Sequence, residues 1–152
     1  MIRRISSSDR EAFLALSREF YASEAVMAPI PERCHERTWD ELLRAGTYLS
    51  AYIFEYEGKI AGYALLNRTF QHEAGGTVVW IEELFVRPEF RSKGLGQSFF
   101  DYLKETRIAD YSWLRLEVEP ENDRAISLYR RTGFESLPYA QMMLPFDDLP
   151  KV

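Results

Sequence analysis

The chain has 152 residues, of which 46% are hydrophobic and 28% are charged, so it suits one compact domain and argues against two domains or general disorder. The formal net charge of −5, from 19 Lys and Arg against 24 Asp and Glu, argues against a nucleic-acid-binding protein and is compatible with a cationic substrate. One cysteine excludes an intramolecular disulfide and a multi-cysteine zinc site, and two histidines give no reason to predict a metal.

No segment of the chain has the pattern of a membrane span or an export signal. The apolar runs fall well short of the roughly 18 residues that cross a bilayer. Arg3 and Arg4 are followed by polar residues 6–9, where a signal peptide needs an apolar stretch. We therefore expect a cytoplasmic protein with no membrane partner.

The N-terminal region is predicted to form a short strand and an amphipathic helix. Residues 2–5 suit a first strand. Ser8 and Glu11 have the spacing of a capping box, in which two side chains bond the free backbone amides at the start of a helix. Apolar side chains then recur at helical spacing, so we expect a helix over residues 9–22.

A second, shorter helix is predicted from another capping box. Thr38 and Glu41 would open this helix. Leu42 and Leu43 would face inward, and Gly46 stands where a C-terminal cap belongs.

The segment of residues 24–37, between the two helices, is long for a connection in a compact domain. Such loops are often functional, although a solvated connector explains this one equally well. Cys34 and His35 lie within the segment, and we expect neither side chain to have a chemical role.

The middle of the chain is predicted to form three antiparallel strands. Residues 48–55 and 60–66 flank a turn at Glu57-Gly58 and have the pattern of a hairpin. A turn at residues 75–76 precedes a third strand over residues 77–86, which is rich in β-branched and aromatic side chains.

The C-terminal part alternates helices and strands. Its predicted elements are a helix over residues 95–107, a strand over 113–119, a helix over 122–131 and a closing strand over 137–144. Since a helix connects the third and fourth strands, these two should run parallel through a right-handed crossover. We therefore predict one α/β (α+β) domain over residues 1–152, with a mixed, mostly antiparallel sheet and helices on both faces.

A glycine-bearing loop, Arg91-Ser92-Lys93-Gly94-Leu95-Gly96, lies directly after a predicted strand and directly before a predicted helix. Glycines let the backbone come close to a ligand, and the free amides at a helix N-terminus attract anions, so this loop favours a phosphate or pyrophosphate. A Walker A loop needs Ser or Thr after Gly-Lys, and the order here is Lys93-Gly94. A dinucleotide fingerprint needs a small residue where Phe99 stands.

These features together resemble the GNAT superfamily of acetyl-CoA-dependent N-acetyltransferases. The pattern Arg91-x-x-Gly94-x-Gly96 is similar to that family's pyrophosphate loop. The segment Ile81-Glu82-Glu83-Leu84-Phe85-Val86 resembles its counterpart in polyamine and diamine acetyltransferases. A second family signature is also matched, by Asn122, Ala125, Leu128, Tyr129, Gly133 and Phe134.

The resemblance implies an acetyl-CoA site between strands 77–86 and 113–119, which in this family form a central parallel pair that splays apart. The pantetheine arm would pair with the first strand, and a backbone N–H near Leu84 would polarise the acetyl carbonyl. Asn122 would touch the pantetheine or the loop. The implied cofactor-binding residues are Leu84, Phe85, Val86, Arg91, Ser92, Lys93, Gly94, Leu95, Gly96, Gln97 and Asn122.

The resemblance also implies two catalytic residues and no metal. Tyr129 would give a proton to the thiolate of coenzyme A as it leaves, although a core aromatic is the alternative interpretation of this position. Glu82 would accept the amine proton through water, and the alternative interpretation is that Glu82 and Glu83 are both simply exposed or paired with arginines. Because strand alternation sends Glu82 and Glu83 to opposite faces, only one of them would face the acetyl group.

The function that follows is transfer of an acetyl group from acetyl-CoA to a primary amine, a small cationic one, by direct attack in a ternary complex. Glu24, Glu117 and Glu119 would line the acceptor pocket, unless they are simply solvated. The alternatives are a non-catalytic acyl-CoA-binding sensor or interaction module, and an acetyltransferase of protein lysines or N-termini. A homodimer is common in this family, and strand 137–144 is a candidate edge for pairing.

Overall fold

The computed structural model describes residues 1–26, 28–44, 48–106 and 111–144. Its strands are β1 (Ile2–Arg4), β2 (Leu49–Tyr56), β3 (Lys59–Gln71), β4 (Gly76–Val86) and β5 (Trp113–Leu116). Its α-helices are α1 (Arg10–Tyr21), α2 (Glu32–Leu43), α3 (Leu95–Glu105) and α4 (Asp123–Thr132), and short 3-10 turns lie at Ser7–Asp9 and Pro88–Phe90. Within these described ranges, no helix is long and apolar enough to cross a membrane, and no group of His, Cys, Asp and Glu could hold a metal ion.

The five described strands form one sheet in the order β1-β2-β3-β4-β5, antiparallel except for the last pair. β4 and β5 run parallel and pair only between Val78–Ile81 and Trp113–Leu116. Helix α3 connects these two strands, as the sequence predicts. The predicted fold class, a mixed and mostly antiparallel sheet with a parallel pair, is confirmed.

Helices cover both faces of the sheet, and each face has its own apolar core. On the face covered by α1 and α2, the α1–α2 face, the buried side chains include Phe13, Leu16, Trp39, Ile53, Tyr63 and Phe85. On the face covered by α3 and α4, the α3–α4 face, they include Phe54, Leu66, Val79, Ile81, Phe99 and Phe100. Neighbouring strand residues such as Ile53 and Phe54 fall into different cores because successive side chains of a strand point to opposite faces.

A β-bulge at Glu82 interrupts this alternation in β4. Leu65 of β3 pairs with Glu83, but Leu66 pairs with Ile81, so Glu82 is one extra residue on β4. Ile81 packs on the α3–α4 face, whereas Glu82 and Glu83 both line a cleft on the α1–α2 face. The expectation that the two glutamates point to opposite faces is therefore wrong, because it assumes an unbroken strand.

Helix α1 starts from a different cap than the sequence predicts. The capping box of Ser8 and Glu11 is not formed; the carboxylate of Asp9 instead accepts the backbone amide of Ser6 at 2.8 Å and its hydroxyl at 2.7 Å. The guanidinium of Arg3 donates two further bonds of 2.8 Å to the same carboxylate. Asp9 is thereby fixed at the start of the helix, and its pKa lies well below its ordinary value because of the Arg3 bonds.

Helix α2 is longer than predicted and starts earlier. It begins at Glu32 after Pro31, so much of the predicted connection over residues 24–37 is helical. Thr38 lies inside the helix, where its hydroxyl donates to the Cys34 carbonyl one turn earlier, and it does not act as a cap. Leu43 is exposed, because the buried face of this helix is the one that carries Trp39.

The predicted closing strand is wrong: residues 137–144 form no strand in the structure. Pro138 in this segment has no backbone donor for a ladder. The predicted strand over 113–119 is also shorter, since β5 ends at Leu116 and forms one edge of the described sheet. Gly46 and Arg107, the predicted ends of the second and third helices, lie outside the described residues.

Candidate active site

The pairing of β4 with β5 stops half-way along β4 and leaves backbone groups beyond it. The last paired residues are Ile81 and Leu116. Further along β4, the amide of Arg87 bonds a carbonyl of β3. In an antiparallel pair the backbone groups of successive residues point alternately toward and away from the partner strand, so those of Leu84 and Val86 point away from β3, toward the side on which β5 has ended. This opening between the strands corresponds to the gap in which the resemblance places the pantetheine arm.

Phe85 does not reach this opening. Its backbone faces β3, where it pairs with Tyr63, and its ring lies in the α1–α2 core 6.0 Å from the ring of Phe20. The Val86 carbonyl accepts a bond of 3.1 Å from Nε of Arg91. Of the three cofactor residues expected on β4, Leu84 and Val86 thus flank the opening, and Phe85 supports the core behind it.

The loop between β4 and α3 has the backbone shape of an anion cradle. Ser92 and Gly94 both adopt left-handed conformations, with φ of +60° and +78°. Gly94 is the N-cap of α3, and none of the described side chains caps the amides of its first turn. Those amides and the positive end of the helix dipole are the groups that bind phosphates in proteins, so the loop fits the pyrophosphate of coenzyme A.

The side chains of this loop have separate tasks. Lys93 is exposed, with Nζ 5.9 Å from the centre of the Tyr56 ring, and adds positive charge at the rim. Leu95 is buried and anchors the start of α3 in the core. Gln97 donates to Asp101 within the helix at 3.0 Å, so this contact holds it on the surface of α3.

Gly96 brings helices α3 and α4 together. A Cβ at this position would lie 2.7 Å from Cδ2 of Leu128, a distance that real Cβ atoms do not adopt. The glycine therefore permits close helix packing, which sets the position of α4 and of Tyr129 on it. The sequence pattern assigns Gly96 to the phosphate loop, whereas its visible contact is with the neighbouring helix.

Helix α4 carries Tyr129 on the α3–α4 face. Asn122 caps the helix, because its Oδ1 accepts a hydrogen bond of 3.1 Å from the Ala125 amide. This contact stabilises the start of α4. Tyr129 packs edge-on against Phe100 and Phe134, with ring centres 6.1 and 5.8 Å away. Burial raises the pKa of Tyr129 to about 12, so the phenol keeps its proton at neutral pH.

On the opposite face, a cleft of about 470 Å³ lies between α2 and strands β2–β4. Its lining includes three carboxylates, one guanidinium and two phenols, from Glu41, Glu82, Glu83, Arg37, Tyr21 and Tyr48. Three negative charges against one positive charge favour a cationic occupant.

The two glutamates of the bulge differ in their surroundings. Glu82 is exposed and accepts a hydrogen bond from the side-chain amide of Asn67. Glu83 is buried, and its two carboxylate oxygens accept the hydroxyls of Tyr21, at 2.9 Å, and of Tyr63. The pKa of each is raised, in both cases mainly by loss of solvent around the carboxylate.

Sequence reasoning placed other carboxylates at this site. Glu24, Glu117 and Glu119 do not line the cleft, although Glu117 is near enough for its charge to raise the pKa of Glu82. The residues that the sequence did not indicate are Tyr21, Arg37, Glu41, Tyr48 and Asn67 in the lining, and Tyr63 buried beneath it. They meet at the cleft only because of strand register and helix packing, which no local sequence pattern shows.

The chain also matches a known family over most of its length. The family model described as Acetyltransferase (GNAT) family matches residues 11–134, more than four fifths of the chain. The chain belongs to the GNAT acetyltransferase family. It is thus an acetyl-CoA-dependent enzyme that acetylates amines, and the resemblance drawn from the loop and the α4 signature is confirmed.

Individual relatives agree with this assignment. Thialysine N-epsilon-acetyltransferase of Bos taurus is 27% identical over 155 residues, covering 93% of this chain and 87% of the relative. Spermine/spermidine N(1)-acetyltransferase of Bacillus subtilis (strain 168) is 30% identical over 84 residues, covering 53% of this chain and 55% of the relative. The solved structure of an aminoglycoside N-acetyltransferase in complex with CoA superposes with a TM-score of 0.78 at 19% identity, over 97% of this chain and 95% of that one, and supports the fold.

Proposed function

We propose that this GNAT enzyme acetylates a primary amine of a small cationic substrate, by direct attack on acetyl-CoA in a ternary complex. The observation that carries the proposal is the β-bulge, which brings Glu82 and Glu83 into one acidic cleft beside the opening at the end of the β4–β5 pairing. The printed names of two relatives, a thialysine and a spermine/spermidine acetyltransferase, support an amine substrate of this kind.

The cofactor would be held by backbone groups on both sides of the opening. Leu84 and Val86 would pair with the pantetheine arm. The loop over residues 91–96 would bind the pyrophosphate through its backbone amides at the start of α3, with the charge of Lys93 nearby; the Arg91 amide already bonds the Pro88 carbonyl at 3.2 Å. Bound acetyl-CoA supplies the acetyl group as a thioester. A backbone N–H near Leu84 would stabilise the negative charge that develops on the acetyl oxygen.

Glu82 is the proposed proton acceptor. A primary alkylamine has a pKa of about 10.4, so presenting it as the free base at pH 7 costs roughly 4–5 kcal/mol. The carboxylate of Glu82, whose pKa is raised mainly by loss of solvent, would take this proton directly or through one water. The neutral amine nitrogen would then bond to the acetyl carbon, and the bond from that carbon to sulfur would break. The proton that the nitrogen loses as it becomes an amide replaces the one that Tyr129 gives to the sulfur, so the net proton released is the one that Glu82 takes first.

Tyr129 is the proposed proton donor to the leaving sulfur. With a pKa of about 12, its phenol holds its proton throughout the neutral range. It packs on the α3–α4 face with Leu84 and Val86, whereas Glu82 lies on the α1–α2 face. Donor and acceptor would therefore act from opposite sides of β4, through the opening that β5 leaves.

The test is release of free thiol from acetyl-CoA with a panel of polyamines, aminoglycosides, amino acids and peptides. Turnover on a cationic small amine that falls strongly in Glu82→Gln supports the proposal. Turnover on peptides alone favours the protein acetyltransferase, and tight acetyl-CoA binding with no turnover favours the sensor; either result rejects the proposal. From the resemblance we further propose that the enzyme is a cytoplasmic homodimer. Sedimentation equilibrium of the purified chain would test the oligomeric state.

A further inference from the structure

A connected row of buried polar side chains lies beneath the cleft. Glu83, Tyr63, Ser17 and His35 have exposed fractions of 7%, 0%, 3% and 4%. Tyr63 donates its hydroxyl to Glu83, and Nδ1 of His35 lies 2.7 Å from Oγ of Ser17. The Ser17 hydroxyl is near enough to that of Tyr63 to oppose the rise that burial causes in the Tyr63 pKa. We call Tyr63, Ser17 and His35 the Glu83 relay. Its members come from β3, α1 and α2, so three elements converge on one carboxylate of β4.

The donors and acceptors of the relay allow a single direction of hydrogen bonding. Tyr63 has one hydroxyl proton and gives it to Glu83, so its oxygen is left to accept from Ser17. Ser17 then uses its own proton on Tyr63 and must accept from Nδ1–H of His35. Every donor in the row thus points toward Glu83, which is the terminal acceptor.

Polar side chains in an otherwise aromatic core are costly unless they are bonded, so such a row calls for an explanation. The rings around it belong to Phe13, Phe20 and Trp39, and nothing in their packing requires a carboxylate here. A carboxylate that accepts two phenols is stabilised as an anion. Its second phenol comes from Tyr21, whose ring also lies against His35 with centres 5.6 Å apart.

We propose that the Glu83 relay stabilises the ionised form of Glu83 and fixes it in the cleft as the anchor for a second positive charge of the acceptor, and that Ser17 and His35 are positioning residues for it. The inference rests on the proposed function, since it assumes that this cleft takes the amine. Glu82, exposed and bonded by one amide, is then free to take the proton of the reacting nitrogen. The acceptor class that this division favours is the diamine or polyamine, over a monoamine of the same length.

Among the described residues, few ionisable groups face the relay. Glu83 is faced by Tyr21 from α1, Tyr63 from β3 and Glu82 from β4. His35 is faced by Arg18 and Tyr21 from α1, and by Glu32 from α2. Burial lowers the pKa of His35, so a neutral ring with its proton on Nδ1 is the state that completes the row at pH 7.

The test compares Tyr63→Phe with Tyr52→Phe. Both tyrosines are buried in the sheet, but Tyr52 packs on the α3–α4 face, away from Glu83. For Tyr63→Phe we expect the KM for a diamine to rise about tenfold or more, since a bond to a charged group is lost. The KM for acetyl-CoA should stay unchanged. The acid limb of kcat/KM for the diamine should move to higher pH, because Glu83 loses a donor that stabilises its anion.

The outer members of the relay supply a second test. His35→Leu and Ser17→Ala should move the diamine KM and the acid limb in the same direction, by less than Tyr63→Phe. His35→Asn keeps a side-chain donor near the position of Nδ1 and should restore most of the wild-type profile. This pair of His35 variants also decides the matter if Tyr63→Phe fails to fold, which circular dichroism and thermal melting would show.

The outcomes separate the inference from the proposed function. Diamine kinetics and a pH profile in Tyr63→Phe equal to those of Tyr52→Phe, or equal loss in His35→Leu and His35→Asn, would overturn the relay. If Glu83→Gln raises the diamine KM while the relay variants do not, the relay is wrong and the cleft is right. If Glu82→Gln and Glu83→Gln both leave the amine kinetics unchanged, the cleft itself is wrongly assigned and the inference fails with it.

Discussion

Replacing Gly94 by alanine should weaken acetyl-CoA binding through backbone strain alone. A Cβ at this position would meet nothing within 4 Å, so the substitution creates no clash, but φ is +78°. The left-handed conformation costs an L-residue roughly 1–2 kcal/mol. Because residues 92–94 of the loop are exposed, the free protein can relieve this strain by leaving the cradle shape. Binding must then restore that shape, so affinity should fall about 5- to 30-fold.

Gly58→Ala is the matched control for this experiment. Gly58 has a nearly equal φ of +75°, also with nothing within 4 Å, but it lies in the turn between β2 and β3. Both variants should lower the free energy of unfolding by similar small amounts. The amounts are small because an alanine also restricts the unfolded chain, which offsets part of the strain in the folded protein. Calorimetric titration with acetyl-CoA should separate them. Equal and unaltered affinity in both would refute the argument that the shape of this loop holds the pyrophosphate.

Four further predictions follow from the same geometry. Tyr129→Phe should lower kcat by about 100-fold or more and leave the KM for acetyl-CoA nearly unchanged. In the wild type, ionisation of Tyr129 should cause no loss of rate below about pH 11, because a general acid loses its proton only near and above its pKa, here about 12. Steady-state thiol release measured across pH checks both. Gly96→Ala should lower the free energy of unfolding in urea by about 1–3 kcal/mol. Because the clash is with the side chain of Leu128, the double variant with Leu128→Ala should be destabilised by less than the sum of the two single variants, and a simple sum would contradict the prediction. Asp9→Asn should lower the free energy of unfolding at pH 7 and flatten the fall of that free energy in acid. The pKa of Asp9 is depressed in the folded state, so the stabilisation by its carboxylate is complete above about pH 4 and is lost as the pH falls further. An unchanged acid profile in the variant would count against this. Arg37→Gln should lower the KM for a diamine a few-fold in the thiol-release assay, because it removes a positive charge from the cleft lining; a raised KM would mean that the guanidinium binds the substrate.

The parts of the fold that local patterns determine were predictable. The strand over 77–86 matches β4, apart from the added Gly76, because β-branched and aromatic side chains are continuous there and Pro88 follows. The turn into α3 was predictable from Gly94, since a helix start after a left-handed residue favours glycine. Gly133 likewise ends α4 with φ of +100°.

Features that depend on packing were not predictable in the same way. The start of α2 after Pro31 could have been found, because His35, Trp39 and Leu42 recur at helical spacing on its inner side. The capping motif at Thr38 predicts a helix start seven residues after the actual N-cap, Pro31. The failed strand over residues 137–144 follows from trusting an apolar run that contains Pro138.

The candidate site shows the same division. The anion cradle and Tyr129 lie in short motifs that can be read locally, and the family assignment follows from them. The acidic cleft depends on one extra residue in β4, which turns Glu82 to the side of Glu83 and makes two carboxylates neighbours. A bulge is set by the pairing of β4 with β3, so sequence alternation alone cannot show it.

The most direct test of the account is the rate of thiol release from acetyl-CoA with a polyamine as acceptor, measured for the wild type and for Glu82→Gln. The account predicts saturable turnover by the wild type and a large loss of rate in Glu82→Gln, with acetyl-CoA binding intact in both. Acetyl-CoA binding without turnover on the polyamine or any other amine, or equal turnover by the two proteins, would contradict it.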